Sequence, residues 1–264
     1  FFFINRNKKI IYDNLKGFKC ETVSMHYNAM IPPLVKNKKL FFMSVIKNME
    51  LKKIFRKIKI KLSSTNPRNL LYDYVVTSGD YAKKNFKNVA KYQIDTISRD
   101  FQLFKNFEKK QKKFLDDHDG SIVFCDSAFG THPDEKSNFS KDDIENFYEE
   151  LDTYFRNLEQ QTKKKIIIAA HPKRKSFKEK IFNNRKYFIN ETCGLIKKSR
   201  FVIGFASTSF IYAILYKKPI LLLNSNHIKD QFYKDCIYKW SESLGVGSIN
   251  ISKDKNINNF LINK

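Results

Sequence analysis

The feature that most constrains this chain is a series of short, uninterrupted apolar segments that begins near Ser121. Each segment has the length of a strand, and helix-length stretches or turn residues separate one from the next. Strands that are apolar at every position are buried on both faces, which is typical of a parallel sheet covered by helices on each side. The predicted strands are 121–125, 165–170, 201–204 and 219–223, with a further short apolar segment at 187–189.

Helices are predicted between these strands. Ser140 is expected to cap a helix that ends near Gln161, because acidic residues fill its first turn. Shorter helices are predicted at 192–198 and 210–216. Ligands of open parallel sheets bind outside the carboxyl ends of the strands, so polar residues at those ends are the candidates for a binding site.

The first part of the chain has a less regular pattern. Residues 72–79 predict a strand that runs into a turn, and residues 101–114 predict a helix with its apolar residues on one side. The polar run 116–120 is interpreted as a solvated turn between domains. We therefore predict two domains, 1–118 and 119–264. We expect the first to be incomplete, because the chain opens on an apolar run with Phe1 and not on methionine.

The chain is strongly basic, with 50 Lys and Arg against 27 Asp and Glu and a net charge of +23. A polyanionic partner, an anionic membrane surface and a plain compositional bias toward Lys, Asn, Ile and Phe all account for this charge. The lysines are scattered and no nucleic-acid motif occurs, so we expect no nucleic-acid partner. Residues 36–62 form a basic amphipathic segment, which fits either a membrane surface or the solvated face of a helix.

Two other features bound the function. None of the four cysteines (Cys20, Cys125, Cys193, Cys236) forms a CxxC pair, so we expect free thiols and a reducing, cytoplasmic compartment. The sequence contains no GxGxxG, P-loop, HExxH or GxSxG motif, which removes the usual support for nicotinamide-dependent or ATP-hydrolysing enzymes.

Two strand ends carry groups suited to a phosphate. Ser207, Thr208 and Ser209 lie between a predicted strand and a helix, where hydroxyl groups and backbone N–H groups bind phosphate, although an ordinary helix cap needs only one of them. His171 and Pro172 directly follow another predicted strand and precede a cationic run. An imidazole there donates to a phosphate oxygen or protonates a leaving group, unless it is simply a loop histidine.

A third strand end carries Asp126, followed by His132 with Pro133 and Asp134. Carboxylates and an imidazole this close together suit acid–base chemistry or substrate contact, and a plain polar loop is the alternative. Their spacing is not that of metal ligands, and we predict no metal site.

At this point the sequence resembles a known class of proteins. The stretch 191–209, followed by 213–220, is similar to the donor-site region of bacterial surface-carbohydrate glycosyltransferases of the GT-B type. The pairing of His171-Pro172 with a downstream Ser-Thr pair resembles the two short motifs of bacterial sialyltransferases that use CMP-activated acidic sugars. The segments 75–80, 93–95, 100–104 and 122–126, with 132–134, resemble the amino-terminal half of surface-polysaccharide biosynthesis proteins.

The resemblance implies an α/β protein with two Rossmann-like domains, each with a parallel sheet, of which the amino-terminal one is truncated here. It implies His171, Ser207 and Thr208, with Pro172 and Ser209 beside them, at the donor phosphate, and Glu191 near the nucleotide ribose or base. It implies no metal and no cofactor. Asp126 and His132 are then the remaining candidates for catalysis, while the general base of sialyltransferases belongs to the amino-terminal domain and stays unassigned.

The expected function is transfer of an acidic sugar, sialic-acid-like or Kdo-like, from a CMP-linked donor to a glycan or lipid-linked glycan. Such an acceptor fits a cytoplasmic protein that is peripheral on the inner membrane through 36–62. Two alternatives stay open: the same fold with CDP-glycerol or a UDP-sugar as donor, and a non-enzymatic basic module that binds membranes or polyanions.

Overall fold

A computed structural model describes residues 23–26, 72–86, 90–110, 118–130, 140–174 and 179–254. The basic segment 36–62 and the predicted site residues His132, Pro133 and Asp134 lie outside the described residues. The chain divides into two compact units, the larger of which contains everything described from Leu103 onward. Because residues 111–117 are also outside the description, the domain boundary predicted between 118 and 119 stays a prediction.

The described part of the smaller unit contains a three-stranded parallel sheet in the order β1-β2-β3. Its elements are β1 (Val23–His26), β2 (Tyr72–Thr77), α1 (Gly79–Phe86) and β3 (Ala90–Asp95). The sequence predicted β2 but not α1 or β3. In β3 only Ala90 is buried, so that strand has no apolar periodicity from which it could be recognised.

The larger unit contains a six-stranded sheet in the order β6-β5-β4-β7-β8-β9, and every neighbouring pair is parallel. Its strands are β4 (Ile122–Cys125), β5 (Ile166–Ala170), β6 (Tyr187–Ile189), β7 (Phe201–Gly204), β8 (Ile220–Asn224) and β9 (Ser248–Asn250). Counted from the first strand of this sheet the order is 3-2-1-4-5-6, which is that of nucleotide-binding Rossmann sheets. The predicted α/β class with parallel sheets is confirmed.

Helices connect these strands, as the sequence indicated. They are α2 (Arg99–Lys110), which leads into the unit, α3 (Lys141–Thr162), α4 (Thr192–Lys198), α5 (Phe210–Leu215) and α6 (Gln231–Leu244), with a 3₁₀ turn at Glu179–Phe182. Ser140 caps α3 as predicted, because its hydroxyl accepts the backbone N–H of Asp143 at 3.1 Å. Neither α6 nor β9 was predicted.

The core of this unit forms where α3 covers the sheet. Phe147, Leu151, Phe155 and Leu158 are fully buried along one side of the helix. Phe155 meets the β4 residue Phe124 edge to face, with ring centroids 5.0 Å apart. Burial of this many large side chains fixes the orientation of α3, and therefore of the strand-end loops that contact it.

The contacts that α2 makes within the larger unit, from Leu103 onward, include a polar cluster and an aromatic pair. The Tyr216 hydroxyl donates to the Glu108 carboxylate at 2.6 Å, and the Lys197 ammonium pairs with the same oxygen at 3.0 Å. The Phe104 and Tyr216 rings pack edge to face at 5.1 Å. These contacts fasten the helix although none of its residues is fully buried.

Cys125, Cys193 and Cys236 are free thiols, as expected, and burial raises the pKa of Cys193 and of Cys236 to about 11. In the part of the chain that the structure describes, no helix combines the length and the apolar character needed to cross a membrane.

Candidate functional site

The centre of the larger sheet is a switch point in strand order. From β4 the chain moves outward through β5 and β6, and from β7 it moves the other way through β8 and β9. Because crossover connections are right-handed, the helices of the two halves lie on opposite faces of the sheet. In sheets of this order ligands bind in a crevice between the loops that follow the two central strands, which here are β4 and β7.

Most of the predicted site residues that are described lie along this carboxyl edge. Glu191 follows β6, His171 follows β5, Asp126 follows β4 and Ser207 follows β7. Neighbouring strands are about 4.8 Å apart, so the backbones of β5 and β7 are about 10 Å apart across β4. His171 and Ser207 thus follow the two strands that flank β4, the strand that Asp126 follows.

Asp126 is buried at the base of this edge and accepts four hydrogen bonds. Arg174 donates two of them from its guanidinium, Nε to Oδ2 and Nη2 to Oδ1, both at 2.8 Å. The backbone N–H groups of Ala128 and His171 donate the others, at 2.8 Å to Oδ1 and 3.1 Å to Oδ2. The carboxylate therefore joins the loop after β4 to the loop after β5.

Arg174 continues this network toward helix α3. Its Nη2 also donates to the Tyr148 hydroxyl at 2.7 Å, and that hydroxyl lies 3.1 Å from the backbone carbonyl oxygen of Phe129, to which it donates. Burial is the strongest single influence and would lower the pKa of the Arg174 guanidinium, but the hydrogen bonds and charge interactions with Asp126 and Tyr148 together outweigh it, and the pKa lies above its usual value. The charge of Arg174 is thus neutralised inside the protein. The positive charge that the sequence predicted next to His171 is therefore reduced by the charge of Arg174.

The His171 ring is oriented by its own loop. Its Nδ1 accepts the backbone N–H of Lys173 at 3.2 Å, and its carbonyl accepts the N–H of Arg174 at 3.0 Å. A neutral imidazole that accepts through Nδ1 has its proton on Nε2. His171 is half-buried, while Pro172 beside it is exposed. The arrangement favours a hydrogen-bond donor, Nε2–H, as the working group of this side chain.

The hydroxyl turn after β7 is shaped mainly by local hydrogen bonds. Ser207 Oγ accepts the backbone N–H of Ser209 at 3.2 Å, and the N–H groups of Phe210 and Ile211 donate to the carbonyls of Ser207 and Thr208, both at 3.2 Å. Several backbone N–H groups that the sequence offered to a phosphate are therefore engaged within the turn. Hydroxyl groups are the donors that it presents most directly, and Thr208 is exposed.

Gly204 determines where this turn lies. A methyl group at Gly204 would be 3.0 Å from Phe210 Cζ and 3.3 Å from the backbone oxygen of Cys125. The absence of a side chain lets Phe210 fold back over the end of β7, where it also meets Trp240 edge to face at 5.3 Å. This close approach holds Ser207, Thr208 and Ser209 at the strand end.

The loop after β4 contains unusual backbone geometry. Ala128 has a φ of 55° and Gly130 a φ of 64°, both in the left-handed region. This conformation is unfavourable in free energy for any residue that has a Cβ atom. Ala128 is fully buried and is held by its N–H bond to Asp126. Such strain is retained where the surrounding contacts fix a loop, and this loop borders the crevice.

Glu191 lies just after β6, at the start of α4. Its side chain does not cap that helix, while its carbonyl accepts the N–H of Leu195 at 3.0 Å. The residue is half-buried, and Asn190 before it has a φ of 62°. The structure thus places Glu191 at the same edge as His171, one strand further out.

Two features of the site were missed from the sequence. The first is the Asp126–Arg174–Tyr148 network, whose members are up to 48 residues apart in the chain. The only local signal was a basic residue close after His171. The second is a polar cluster beyond β8 and β9, in which Glu150 pairs with His227 at 2.9 Å and accepts from Ser252 at 2.6 Å.

In the described part of the polar run before β4, His118 differs from its interpretation. His118 is buried and its ring meets that of Phe188 edge to face at 5.1 Å, so it is not part of a solvated turn. Within the described ranges, no group of three or more His, Cys, Asp or Glu residues is arranged to hold a metal ion.

Comparison with known proteins adds one finding. The family model of the alpha-2,8-polysialyltransferases (POLYST) matches residues 135–220, about a third of the chain. The matched range contains His171, Glu191 and the turn of Ser207, Thr208 and Ser209, and it ends before β8 is complete. No curated protein matches the chain. The family match supports a sialyltransferase-like enzyme of polysaccharide synthesis.

Proposed function

We propose that this chain is a glycosyltransferase that moves an acidic sugar, sialic-acid-like or Kdo-like, from a CMP-linked donor to a glycan acceptor. The observation that carries the proposal is the coincidence of two independent signals on the same residues. The polysialyltransferase match spans His171 and Ser207, and both residues lie at the carboxyl edge of the sheet within two strands of its switch point.

The chemistry at this edge fits departure of a nucleoside monophosphate. The acceptor oxygen attacks the anomeric carbon, the bond from that carbon to the phosphate oxygen breaks, and the electron pair stays on the phosphate. Donors that are already in place stabilise the new negative charge. We assign the Nε2–H of His171 and the hydroxyls of Ser207 and Thr208 to that task, with Pro172 and Ser209 shaping the two loops.

Glu191 is suited to the nucleoside part of the donor. It lies one strand beyond His171, on the side away from Ser207, so a donor whose phosphate lies between the two loops extends its ribose or base toward β6. A carboxylate accepts hydrogen bonds from ribose hydroxyls or from a base amino group. The base that takes the acceptor proton is unassigned. His132 is a candidate for this or another catalytic role.

Nucleotide binding is the direct test, measured as a shift in melting temperature. At about 100 times its dissociation constant, CMP contributes about 2.7 kcal/mol to stability, which corresponds to a rise of roughly 5–10 °C for a protein of this size. His171→Ala should remove most of that rise, and Ser207→Ala part of it. Ser243→Ala, an exposed hydroxyl on α6, is the matched control and should keep the full rise.

The same panel separates the alternatives. A larger rise with CDP or UDP than with CMP would replace the CMP-linked donor by CDP-glycerol or a UDP-sugar. No rise with any nucleotide, together with steeply salt-dependent binding to anionic vesicles that is indifferent to His171 and Ser207, would favour the non-enzymatic module. Transfer in the presence of EDTA is expected to proceed at the same rate, because the resemblance implies a step without metal.

A further inference from the structure

We infer that Asp126 and Arg174 form a buried ion pair that positions His171 for the donor phosphate, and that Asp126 does not accept a proton in the transfer. The inference rests on the proposed function, and it gives Asp126 a positioning role in place of a catalytic one. It follows from the contacts of three side chains, Asp126, Arg174 and Tyr148.

Asp126 is saturated by groups of the protein. Only 2% of its side chain is exposed, and both carboxylate oxygens accept a guanidinium N–H and a backbone N–H. A general base must reach the acceptor hydroxyl at hydrogen-bonding distance. A carboxylate that is buried and occupied in this way is poorly placed to meet an acceptor, whereas it is well placed to hold two loops together.

Asp126 contacts His171 through its backbone N–H, and this contact fixes the position of the His171 backbone. Asp126 Oδ2 accepts the His171 N–H at 3.1 Å, and the same oxygen accepts Arg174 Nε at 2.8 Å. The turn from His171 to Arg174 is therefore tied down at both of its ends by one carboxylate. Within the turn, Lys173 donates to the imidazole Nδ1 at 3.2 Å, so fixing the backbone also fixes the ring and its tautomer.

Arg174 is in turn held from the other side. Its guanidinium lies 5.6 Å from the centre of the Tyr148 ring and 5.5 Å from that of Phe182, and it donates to the Tyr148 hydroxyl. Tyr148 belongs to α3, which is packed on the sheet. The position of His171 is thus fixed by contacts with the packed core of the unit as well as by its own loop.

A buried ion pair is weak evidence for a stabilising role, because the cost of removing both charges from water offsets their attraction. A well-packed apolar pair would fill the same space. What the charged, forked pair adds is geometry: a guanidinium and a carboxylate meet in one orientation, with two parallel hydrogen bonds. That property is useful next to a crevice where a donor must be placed accurately.

The chain contains a natural control for this inference. Arg185 pairs with Asp152 of α3 and with Glu159 at 3.0 Å, and it too is largely buried. It lies just before β6, at the amino end of the strands, away from the candidate site. Arg174→Lys and Arg185→Lys each keep the charge and remove the fork, one at each end of the sheet.

The experiment compares CMP affinity and the state of the His171 ring in the wild-type protein and the variants. Affinity is measured by calorimetry below the melting temperature, and the imidazole tautomer by ¹⁵N NMR. Asp126→Asn and Arg174→Lys are each expected to weaken CMP binding by about 10- to 100-fold, since a misplacement of about 1 Å can cost about 100-fold even in a catalytic step. Both should also reduce the population of the Nε2–H tautomer, while Arg185→Lys changes neither quantity.

Two results would overturn the inference. If Asp126→Asn binds CMP as tightly as the wild-type protein but has lost transfer, Asp126 acts on the acceptor and is a catalytic base. If the His171 tautomer is the same in all variants, the ion pair does not position the ring. The NMR measurement needs no ligand, so it decides the inference even where the wild-type protein fails to bind CMP and the proposed function falls. Arg174→Lys keeps the test available if Asp126→Asn does not fold.

Discussion

Replacing Gly204 with alanine should destabilise the larger unit and weaken donor binding together. The new methyl group would lie 3.0 Å from Phe210 Cζ, 3.1 Å from Phe210 Cε1 and 3.3 Å from the Cys125 backbone oxygen. Phe210 cannot easily retreat, because it is fully buried against Trp240. Overpacking of this kind lowers the free energy of unfolding by about 1–3 kcal/mol. A glycine-to-alanine change raises it by about 0.4–1 kcal/mol, because it reduces the conformational entropy of the unfolded chain.

The expected net loss is therefore about 1–2 kcal/mol, or a fall in melting temperature of roughly 3–6 °C. Calorimetry or circular dichroism measures this fall, and CMP titration measures the second effect, since the turn that begins at Ser207 moves with Phe210. Gly247→Ala is the matched control, because a methyl group there meets nothing within 4 Å. If Gly204→Ala melts and binds CMP like Gly247→Ala, the packing argument for the position of the hydroxyl turn is wrong.

Two further perturbations test other parts of the larger unit. Gly130→Ala should lower the free energy of unfolding by about 2–4 kcal/mol, because φ is 64° and the new methyl group would lie 2.7 Å from Ile144 Cδ1. Adding Ile144→Ala should recover part of this loss. If the effects of the two substitutions are fully additive, the predicted contact does not cause the loss. The hydrogen bond from the Tyr216 hydroxyl, and after it the one from Lys197, lowers the pKa of Glu108. The ionised carboxylate therefore stabilises the fold at pH values above 4.5, the ordinary pKa of a glutamate, and this contribution disappears as the pH falls through the lowered pKa. The stability difference between wild type and Glu108→Gln, measured by denaturant titration, should shrink over that interval, and a pH-independent difference would refute the assignment.

Much of the larger unit followed from the sequence because its elements have a clear local signature. The strands at Ile122, Ile166 and Phe201 are apolar at every position, and Ser140 has acidic residues just after it, so burial and capping are written into short stretches. Strand β3 shows the limit of this reasoning. Five of its six residues are exposed, and only its pairing with β2 makes it a strand.

The candidate site was predicted in outline for a similar reason. His171, Ser207 and Asp126 directly follow predicted strands, and the parallel arrangement places all strand ends of one kind at one edge. The role of Asp126 was not accessible in this way. Its partner Arg174 lies 48 residues away, and the two charges come together only through the pairing of β4 with β5 and the packing of Arg174 against α3.

The sequence by itself determined which apolar strands are buried, where most of the helices of the larger unit begin, and which polar side chains follow strands, because these properties depend on neighbours in the chain. Only the tertiary structure decided the strand order, and with it the position of the switch point between β4 and β7. It also decided that Asp126 and Arg174 neutralise each other beneath His171, and that the absence of a side chain at Gly204 lets Phe210 fold the hydroxyl turn against the strand end. The physical reason is the same in each case. These outcomes depend on contacts between residues distant in sequence, whose free energy no short stretch of the chain contains.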